Sequence, residues 1–314
     1  MQKDNVNEDS NLISAVNIEA DDMPAGRPKR TCGIPLYTFD LIPSYLQFNP
    51  FIRSGYRWGL SFKLCTLSLF TLHNETINIW SHLIGIIYLL VYTPIDYVYL
   101  NSLDASYPHY LIFVSFIVLA MLSLTLSALY HLLMCHSEYQ CDMWLRMDSA
   151  GIGLALCGCY IPSCFYAFYC PGVENTWRDV YMVALCLAVF ISLILPLHPD
   201  FLTRRWNIRR LLFYFGLIMV GGVPITQWVV MQGGFGVHIV FIFLIPNGII
   251  MYVLGLAGGA FYVTKFPERI WPGKFDYFGA SHQLWHVCVL LALTWMHHIV
   301  RTEFYYRITT ESCS

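Results

Sequence analysis

The chain has 314 residues, of which 57% are hydrophobic and only 12% are charged, about half the charged fraction of an ordinary soluble domain. Such scarce charge indicates that much of the surface faces lipid rather than water. The net charge of −2 offers no basic surface for a polyanion, which argues against a nucleic-acid partner.

The first 75 residues lack the apolar stretch of a signal peptide. Residues 1–33 are polar, with acidic residues, Pro and Gly, and are predicted to be a disordered leader. Residues 34–75 are aromatic, interrupted by Pro, and include an amphipathic stretch with Arg57 and Lys63. We expect this cytosolic docking segment either to lie on the membrane as a short interfacial helix or to pack as a soluble helix beneath the bundle.

Seven apolar runs follow, each close to the roughly 20 residues that a helix needs to cross a bilayer. They lie near residues 77–97, 109–134, 149–169, 179–198, 211–230, 238–264 and 280–300. The prolines inside these runs, among them Pro162, Pro196, Pro224 and Pro246, are compatible with helices packed in a membrane bundle. The pattern predicts an all-α integral membrane protein, with a seven-transmembrane helix bundle over residues 76–303 and a short tail over residues 304–314.

The distribution of basic residues predicts the orientation of the bundle. Fifteen of the 18 Lys and Arg residues fall in the N-terminal region and in the loops on its side of the membrane. The three others are Arg178, Arg301 and Arg307. Because positive loops stay in the cytosol, we expect a cytosolic N-terminus and a lumenal or extracellular C-terminus, opposite to G-protein-coupled receptors.

Three separate runs deliver ionisable side chains to one depth, near the cytosolic surface. His131 ends the second run, Asp148 begins the third, and His282 and His286 begin the seventh. Ionisable residues at membrane depth are costly, which makes them functional candidates. His282 and His286 are four residues apart and share a helical face. With His131 as a third imidazole and a fourth position open, they resemble the ligand set of a catalytic zinc ion.

Two further side chains fit hydrolytic chemistry at such a site. Asp148 can hold a metal-bound water, the usual nucleophile in metal-assisted hydrolysis. Ser127 lies one helical turn before His131 and can bond to that water or to a substrate carbonyl. The simpler alternative is that the histidines only form hydrogen bonds with their neighbours.

A second polar cluster opens the first run. Glu75, Asn78 and His82 are spaced by three and four residues, so they lie on one face of a helix. We expect a structural role for this cluster, in bonds to neighbouring helices and to exposed backbone N–H groups, in preference to a catalytic role for Glu75. Among the eleven cysteines, Cys170 and Cys313 can meet on the outer side as a disulfide.

Several motifs resemble the progestin and adipoQ receptor family. They are HNETINIWSHLIG, SALYH, LRMDSAGI and FPERIWPGKFDYFGASHQLWH, within a resemblance that runs from about Ile34 to about Arg307. The family's adiponectin-receptor members imply a zinc ion held by three histidines, with an aspartate that contacts it through water and an accompanying serine. Carried over, these are His131, His282, His286, Asp148 and Ser127. Ser149 and Ala150 depart from the Tyr-Ser pair that many members have after the aspartate.

The resemblance leaves three functions open. Stretches such as IPSYLQFNPFIRSGYR and HPDFLTRRW are similar to a Golgi-resident branch, which implies a Golgi-membrane regulator whose cytosolic N-terminal region tethers Raf kinase and dampens MAPK signalling. The adiponectin-receptor members imply instead a zinc-dependent hydrolase of a sphingolipid amide such as ceramide. A plasma-membrane hormone receptor is the third hypothesis, although the predicted outer loops are short.

Overall fold

The computed structural model describes residues 29–31, 33–235 and 238–309. Within them the chain forms one antiparallel β-hairpin and nine α-helices. The strands are β1 (Lys29–Thr31) and β2 (Ile34–Leu36). The helices are α1 (Phe62–Leu67), α2 (Thr76–Ser102), α3 (Tyr107–Leu133), α4 (Glu138–Ala167), α5 (Val173–Ile194), α6 (Asn207–Val220), α7 (Gly222–Met231), α8 (His238–Thr264) and α9 (Ser281–Thr309).

Seven helical segments are long and apolar enough to cross a membrane. Six of them lie in α2, α3, α4, α5, α8 and α9, and α6 and α7 together form the fifth span, Ile208–Met231. The all-α, seven-span prediction is therefore confirmed. We call the end of the bundle against which residues 33–75 pack the proximal end, and the opposite end the distal end.

Two helices extend beyond their apolar runs, because polar side chains form hydrogen bonds near the ends of these helices. α4 begins at Glu138, where the Ser137 hydroxyl accepts a hydrogen bond from the Gln140 backbone N–H. α9 continues past residue 303, the predicted end of the bundle, to Thr309. Its last turns bury Phe304, and the Arg307 guanidinium donates to the Tyr166 carbonyl oxygen at 2.8 Å. The end of the chain after Thr309 lies outside the described residues.

The helix α3 forms the centre of the bundle. Its residues Phe116, Ala120 and Leu124 are at most 1% exposed and pack with apolar side chains of α2 and α9. By contrast, α5 and the part of α8 from Pro246 onward expose many apolar residues, for example Leu187 and Leu256. Exposed apolar surface on this scale is stable only against lipid, which agrees with the membrane assignment.

Small residues allow close approach between helices, as is usual in membranes. A Cβ atom added to Gly153 of α4 would lie 2.2 Å from the Ser192 Cβ on α5. At Gly255 and Gly259 of α8, an added Cβ would have no described atom within 4 Å other than those of its own helix backbone and chain neighbours. Gly258 packs against α9 instead, next to Trp285 and Cys288.

A buried ionic network ties α2 to α9 near the distal end. The Asp96 carboxylate lies 2.7 Å from His297 Nε2 and accepts a hydrogen bond from Arg301 Nη1 at 2.9 Å. The other ring nitrogen of His297 lies 2.8 Å from the Tyr88 hydroxyl. Cys170, also distal, is disulfide-bonded, and its predicted partner Cys313 lies outside the described residues.

Residues 33–75 pack on the proximal end as an ordered segment. The Asp276 carboxylate, in the loop between α8 and α9, accepts hydrogen bonds from the Arg53 backbone N–H and the Ser54 hydroxyl. The Asn49 amide donates to Glu268 in the same loop at 3.0 Å. Most of the predicted leader, residues 1–28, lies outside the described residues, and its last part forms β1, paired with β2.

The amphipathic stretch becomes the six-residue helix α1. Its residue Cys65 is fully buried, whereas Phe62, Lys63 and Leu67 are exposed. Just before α1, the Arg57 guanidinium is 3% exposed and donates a hydrogen bond to the His131 carbonyl oxygen at 2.6 Å. The segment thus holds the end of α3 as well as the loop before α9.

Candidate metal centre

Three imidazoles meet at the proximal end of the bundle. His131 lies in the last turn of α3, and His282 and His286 lie in the first turns of α9. The His282 Nε2 atom is 3.4 Å from His131 Nε2 and 3.3 Å from His286 Nε2. The three residues form a group whose ligand atoms all lie within 4.8 Å of one another. The convergence expected from membrane depth is therefore present in the fold.

Glu75 determines which nitrogen of His131 faces this group. The Glu75 Oε2 atom, at the N-terminus of α2, lies 2.8 Å from His131 Nδ1. A carboxylate at this distance holds the imidazole proton on Nδ1, which leaves the Nε2 lone pair free. This is the arrangement by which outer-shell carboxylates orient metal-binding histidines.

Hydrogen bonds among the histidines alone cannot satisfy both short contacts. A ring nitrogen carries either one hydrogen or one lone pair, so His282 Nε2 can pair with only one of its two neighbours. If it donates to His131, it cannot accept from His286. A cation at the centre of the group would instead accept all three lone pairs at once.

Two of the three separations between these nitrogens fit tetrahedral zinc. With Zn–N bonds of about 2.0–2.1 Å, two ligands of a tetrahedral ion lie roughly 3.3–3.4 Å apart. The two short Nε2 separations, 3.3 and 3.4 Å, match this value. Neutral imidazole donors are also a preferred donor type for zinc.

One side of the group remains accessible. His131 and His286 are buried, but His282 is only partly buried, and so is Asp148. The Asp148 carboxyl interacts with the Ser127 hydroxyl and with His131. The five residues predicted to form the site are therefore brought together, with the Asp148 carboxyl beside the histidines.

The predicted polar cluster on α2 divides into two parts. Asn78 donates a hydrogen bond to Glu75 Oε2 at 2.6 Å, and Asn74 donates to Glu75 Oε1 at 3.3 Å. Burial raises the pKa of the Glu75 carboxyl, but the hydrogen bonds with His131 and Asn78 and the charges of His131 and His282 together outweigh it and lower that pKa to about 2. The carboxylate is thus ionised and anchored as it faces His131.

His82 occupies a different position in that cluster. Its ring stacks on the His286 ring with centroids 4.2 Å apart. Within the described part of the chain, neither of its buried ring nitrogens has a hydrogen-bond partner. His82 therefore supports the position of His286 by packing, whereas Glu75 and Asn78 act through hydrogen bonds.

Two charged residues that fix the helix ends were not identified from the sequence. The sequence pattern indicated only that Arg57 is a basic residue of the amphipathic stretch, but its guanidinium donates a hydrogen bond to the His131 carbonyl oxygen. Glu268 is fully buried and accepts hydrogen bonds from the Ser281 backbone N–H and hydroxyl, at the start of α9. The available signal was the presence of isolated charges within aromatic stretches, which is costly unless each charge is paired.

Comparisons with known proteins agree with this architecture. The haemolysin-III related family matches residues 70–297. Progestin and adipoQ receptor family member 3 of Homo sapiens is 40% identical over 280 residues, which cover 88% of each chain. Progestin and adipoQ receptor-like protein 1 of Caenorhabditis elegans is 30% identical, over 88% of this chain and 62% of the relative.

The adiponectin receptor protein of Drosophila melanogaster is 29% identical, over 87% of this chain and 60% of the relative. These similarities extend over all seven spans and include the stretches that carry the three histidines, Asp148 and Glu75. The chain belongs to the progestin and adipoQ receptor family and to the wider haemolysin-III related family.

Proposed function

We propose that this protein is a zinc-dependent hydrolase of a lipid amide, with the ion held by His131, His282 and His286. The observation that carries the proposal is the pair of Nε2 separations of 3.3 and 3.4 Å, which hydrogen bonds alone cannot satisfy. The basic residues support an orientation with the N-terminus and this centre on the cytosolic side.

Three protein ligands favour catalysis over a purely structural role. Structural zinc sites are usually closed by four protein ligands, whereas catalytic sites use three and leave one position open. When bound, zinc would polarise a substrate carbonyl and lower the pKa of a coordinated water. Asp148 would accept a proton from a group at the open position, and its contact with Ser127 supports this role.

The surroundings of the centre favour a lipid substrate. Its histidines belong to two membrane-spanning helices, and the neighbouring α8 exposes apolar residues such as Val253 and Leu256 to the bilayer. A substrate with long acyl chains can reach the centre sideways from the membrane, while water reaches it from the proximal surface. Ceramide combines such chains with an amide group, which makes this sphingolipid the substrate to test.

The metal is tested by elemental analysis of the detergent-purified protein. We expect about one zinc per chain in the wild type and loss of the zinc in the His282→Ala/His286→Ala variant, because two of its three ligands are removed. His297→Ala, at the distal end of the same helix, is the matched control and should keep its zinc. A folded wild type without zinc would overturn the proposal.

Glu75 should control how tightly the metal binds. Replacement of Glu75 by Ala removes the partner of His131 Nδ1, and loss of such a partner typically weakens metal binding by about 10- to 100-fold. The measurement is zinc affinity by competition with a chelator of known strength. Glu138→Ala, an exposed carboxylate at the start of α4, should leave the affinity unchanged. An equal affinity in both variants would show that Glu75 does not orient His131.

Asp148 should be needed for turnover but not for zinc. We expect Asp148→Ala to lower the rate of ceramide hydrolysis by at least about 100-fold, the usual scale for a general acid–base group, with zinc retained. Asp142→Ala, an exposed aspartate on the same helix, should hydrolyse ceramide at the wild-type rate. Full activity of Asp148→Ala would exclude the assigned role of the aspartate.

A second candidate function is a Golgi-membrane tether that recruits Raf kinase and dampens MAPK signalling. It is favoured by the N-terminal segment, which is fixed to the bundle by Glu268 and Asp276 yet presents an exposed aromatic side chain, Phe48, that is 50% exposed. The exposed Arg53 lies five residues further along. An aromatic residue and an arginine close together are typical of protein-binding surfaces.

The tether is tested without disturbing the metal centre. We expect Phe48→Ser/Arg53→Glu to abolish recruitment of Raf kinase to Golgi membranes in cells, while zinc content stays at the wild-type level. Phe235→Ser, which removes a similarly exposed aromatic residue from the distal end, is the control and should recruit normally. Recruitment that survives the double substitution would exclude this surface as the docking site.

A further inference from the structure

Two cysteines outside the metal centre lie side by side on different elements. The Sγ atom of Cys65, on α1, is 3.6 Å from the Sγ atom of Cys135, just after α3. Neither forms a disulfide, and they are 0% and 2% exposed. Two thiols so close need to approach by only about 1.5 Å to reach the S–S bond length of roughly 2.05 Å.

A cation stands next to this pair of thiols. The Arg57 guanidinium forms a hydrogen bond with the Ser68 hydroxyl, and Ser68 in turn donates to the Cys65 carbonyl oxygen at 2.6 Å. The hydrogen bond from Cys65, followed by the charge of Arg57, outweighs burial and lowers the pKa of the Cys135 thiol below its usual value. A nearby cation and a hydrogen-bond donor are the features that make a cysteine nucleophilic.

A small cavity gives access to the same place. The volume open to the centre of a water-sized sphere is about 10 Å³, and the cavity is lined by Arg57, Cys135, Glu75 and Met134, among others. Roughly 10–15 Å³ of such space holds one water molecule, so the cavity has room for a solute about the size of water. The thiol pair is therefore enclosed by protein on most sides but has an opening next to Cys135.

We propose that Cys65 and Cys135 form a redox-sensitive dithiol, which hydrogen peroxide converts to a disulfide that links α1 to the end of α3. This inference goes beyond the hydrolase and tether functions and depends on neither. The sulfur atoms are not part of the three-histidine group, so the dithiol and the metal centre can be tested separately.

The reaction has two steps. The Cys135 thiolate attacks one oxygen of hydrogen peroxide, an S–O bond forms, the O–O bond breaks, and the released hydroxide takes up a proton as water. The Cys65 sulfur then attacks the Cys135 sulfenic acid and displaces its hydroxyl group, which leaves as water with the Cys65 proton. Overall, two thiols lose two electrons to one peroxide, and the products are one disulfide and two waters.

The disulfide would act close to the metal centre. Cys135 lies four residues after His131, and Arg57, which borders the thiol pair, also binds the His131 carbonyl oxygen. A covalent link between Cys65 and Cys135 would fix α1 against the end of α3. Oxidation would thereby restrict movement of the N-terminal segment at the point where it contacts the centre.

The test uses the purified full-length protein, reduced and then treated with hydrogen peroxide. The protein is unfolded in N-ethylmaleimide, digested and analysed by mass spectrometry. We expect a cross-linked pair of peptides that contain Cys65 and Cys135, about 2 Da lighter than the two reduced peptides together, and its disappearance after dithiothreitol. Both thiols should leave the alkylated pool together, at least about tenfold faster than the buried Cys141.

Single substitutions distinguish the cysteine that attacks hydrogen peroxide from the cysteine that then attacks the sulfenic acid. In Cys65→Ser we expect Cys135 to oxidise without a cross-link, whereas in Cys135→Ser we expect Cys65 to stay reduced. Cys141→Ser is the control and should form the cross-link as the wild type does. The inference fails if Cys65 and Cys135 in the folded wild type remain as alkylatable as Cys141, or if either pairs with Cys141 instead.

Discussion

The bilayer imposes the constraint on which the rest of this structure depends, because it offers no water to unpaired backbone groups. Helices satisfy those groups along their length but leave the last carbonyls and first N–H groups exposed. In this chain, partners for such groups come from charged residues of other segments, with Arg57 at the end of α3 and Glu268 at the start of α9. The same two helix ends carry the three histidines. Arg57 and Glu268, which bind the backbone groups at these ends, therefore also position the site.

Within the site, one hydrogen bond gives the cluster its chemical character. The carboxylate of Glu75 holds the His131 proton on Nδ1, which leaves the Nε2 lone pair of His131 facing the other two imidazoles. The carboxylate is itself held by two asparagine amides, from Asn74 and Asn78. A buried charge is costly unless it is paired and hydrogen-bonded, and these two amides supply such partners for the carboxylate.

The seven spans and the common depth of His131, Asp148, His282 and His286 could be predicted from the sequence, since hydrophobic length and loop charge determine both. The contact between Glu75 and His131 could not, because residue spacing gives the face of a helix but not its rotation against another helix. Arg57 and Glu268 were missed for a related reason. Both have a backbone group distant in the chain among their partners, and such groups carry no sequence signal. The Asp96 network also needs the packing of α2 on α9, which only the fold defines.

The hydrogen bonds of the N-terminal segment to the helix ends also determine how much of the chain is needed to hold the three-histidine group in place. A fragment that begins at Thr76 would keep all seven spans and all three histidines, yet it would lack both Glu75 and Arg57. Such a fragment, whether made by proteolysis or by a shortened transcript, would insert into a membrane as a bundle with a disordered centre. The border between a soluble appendage and a membrane core therefore lies well before the first span, although hydropathy places it at that span.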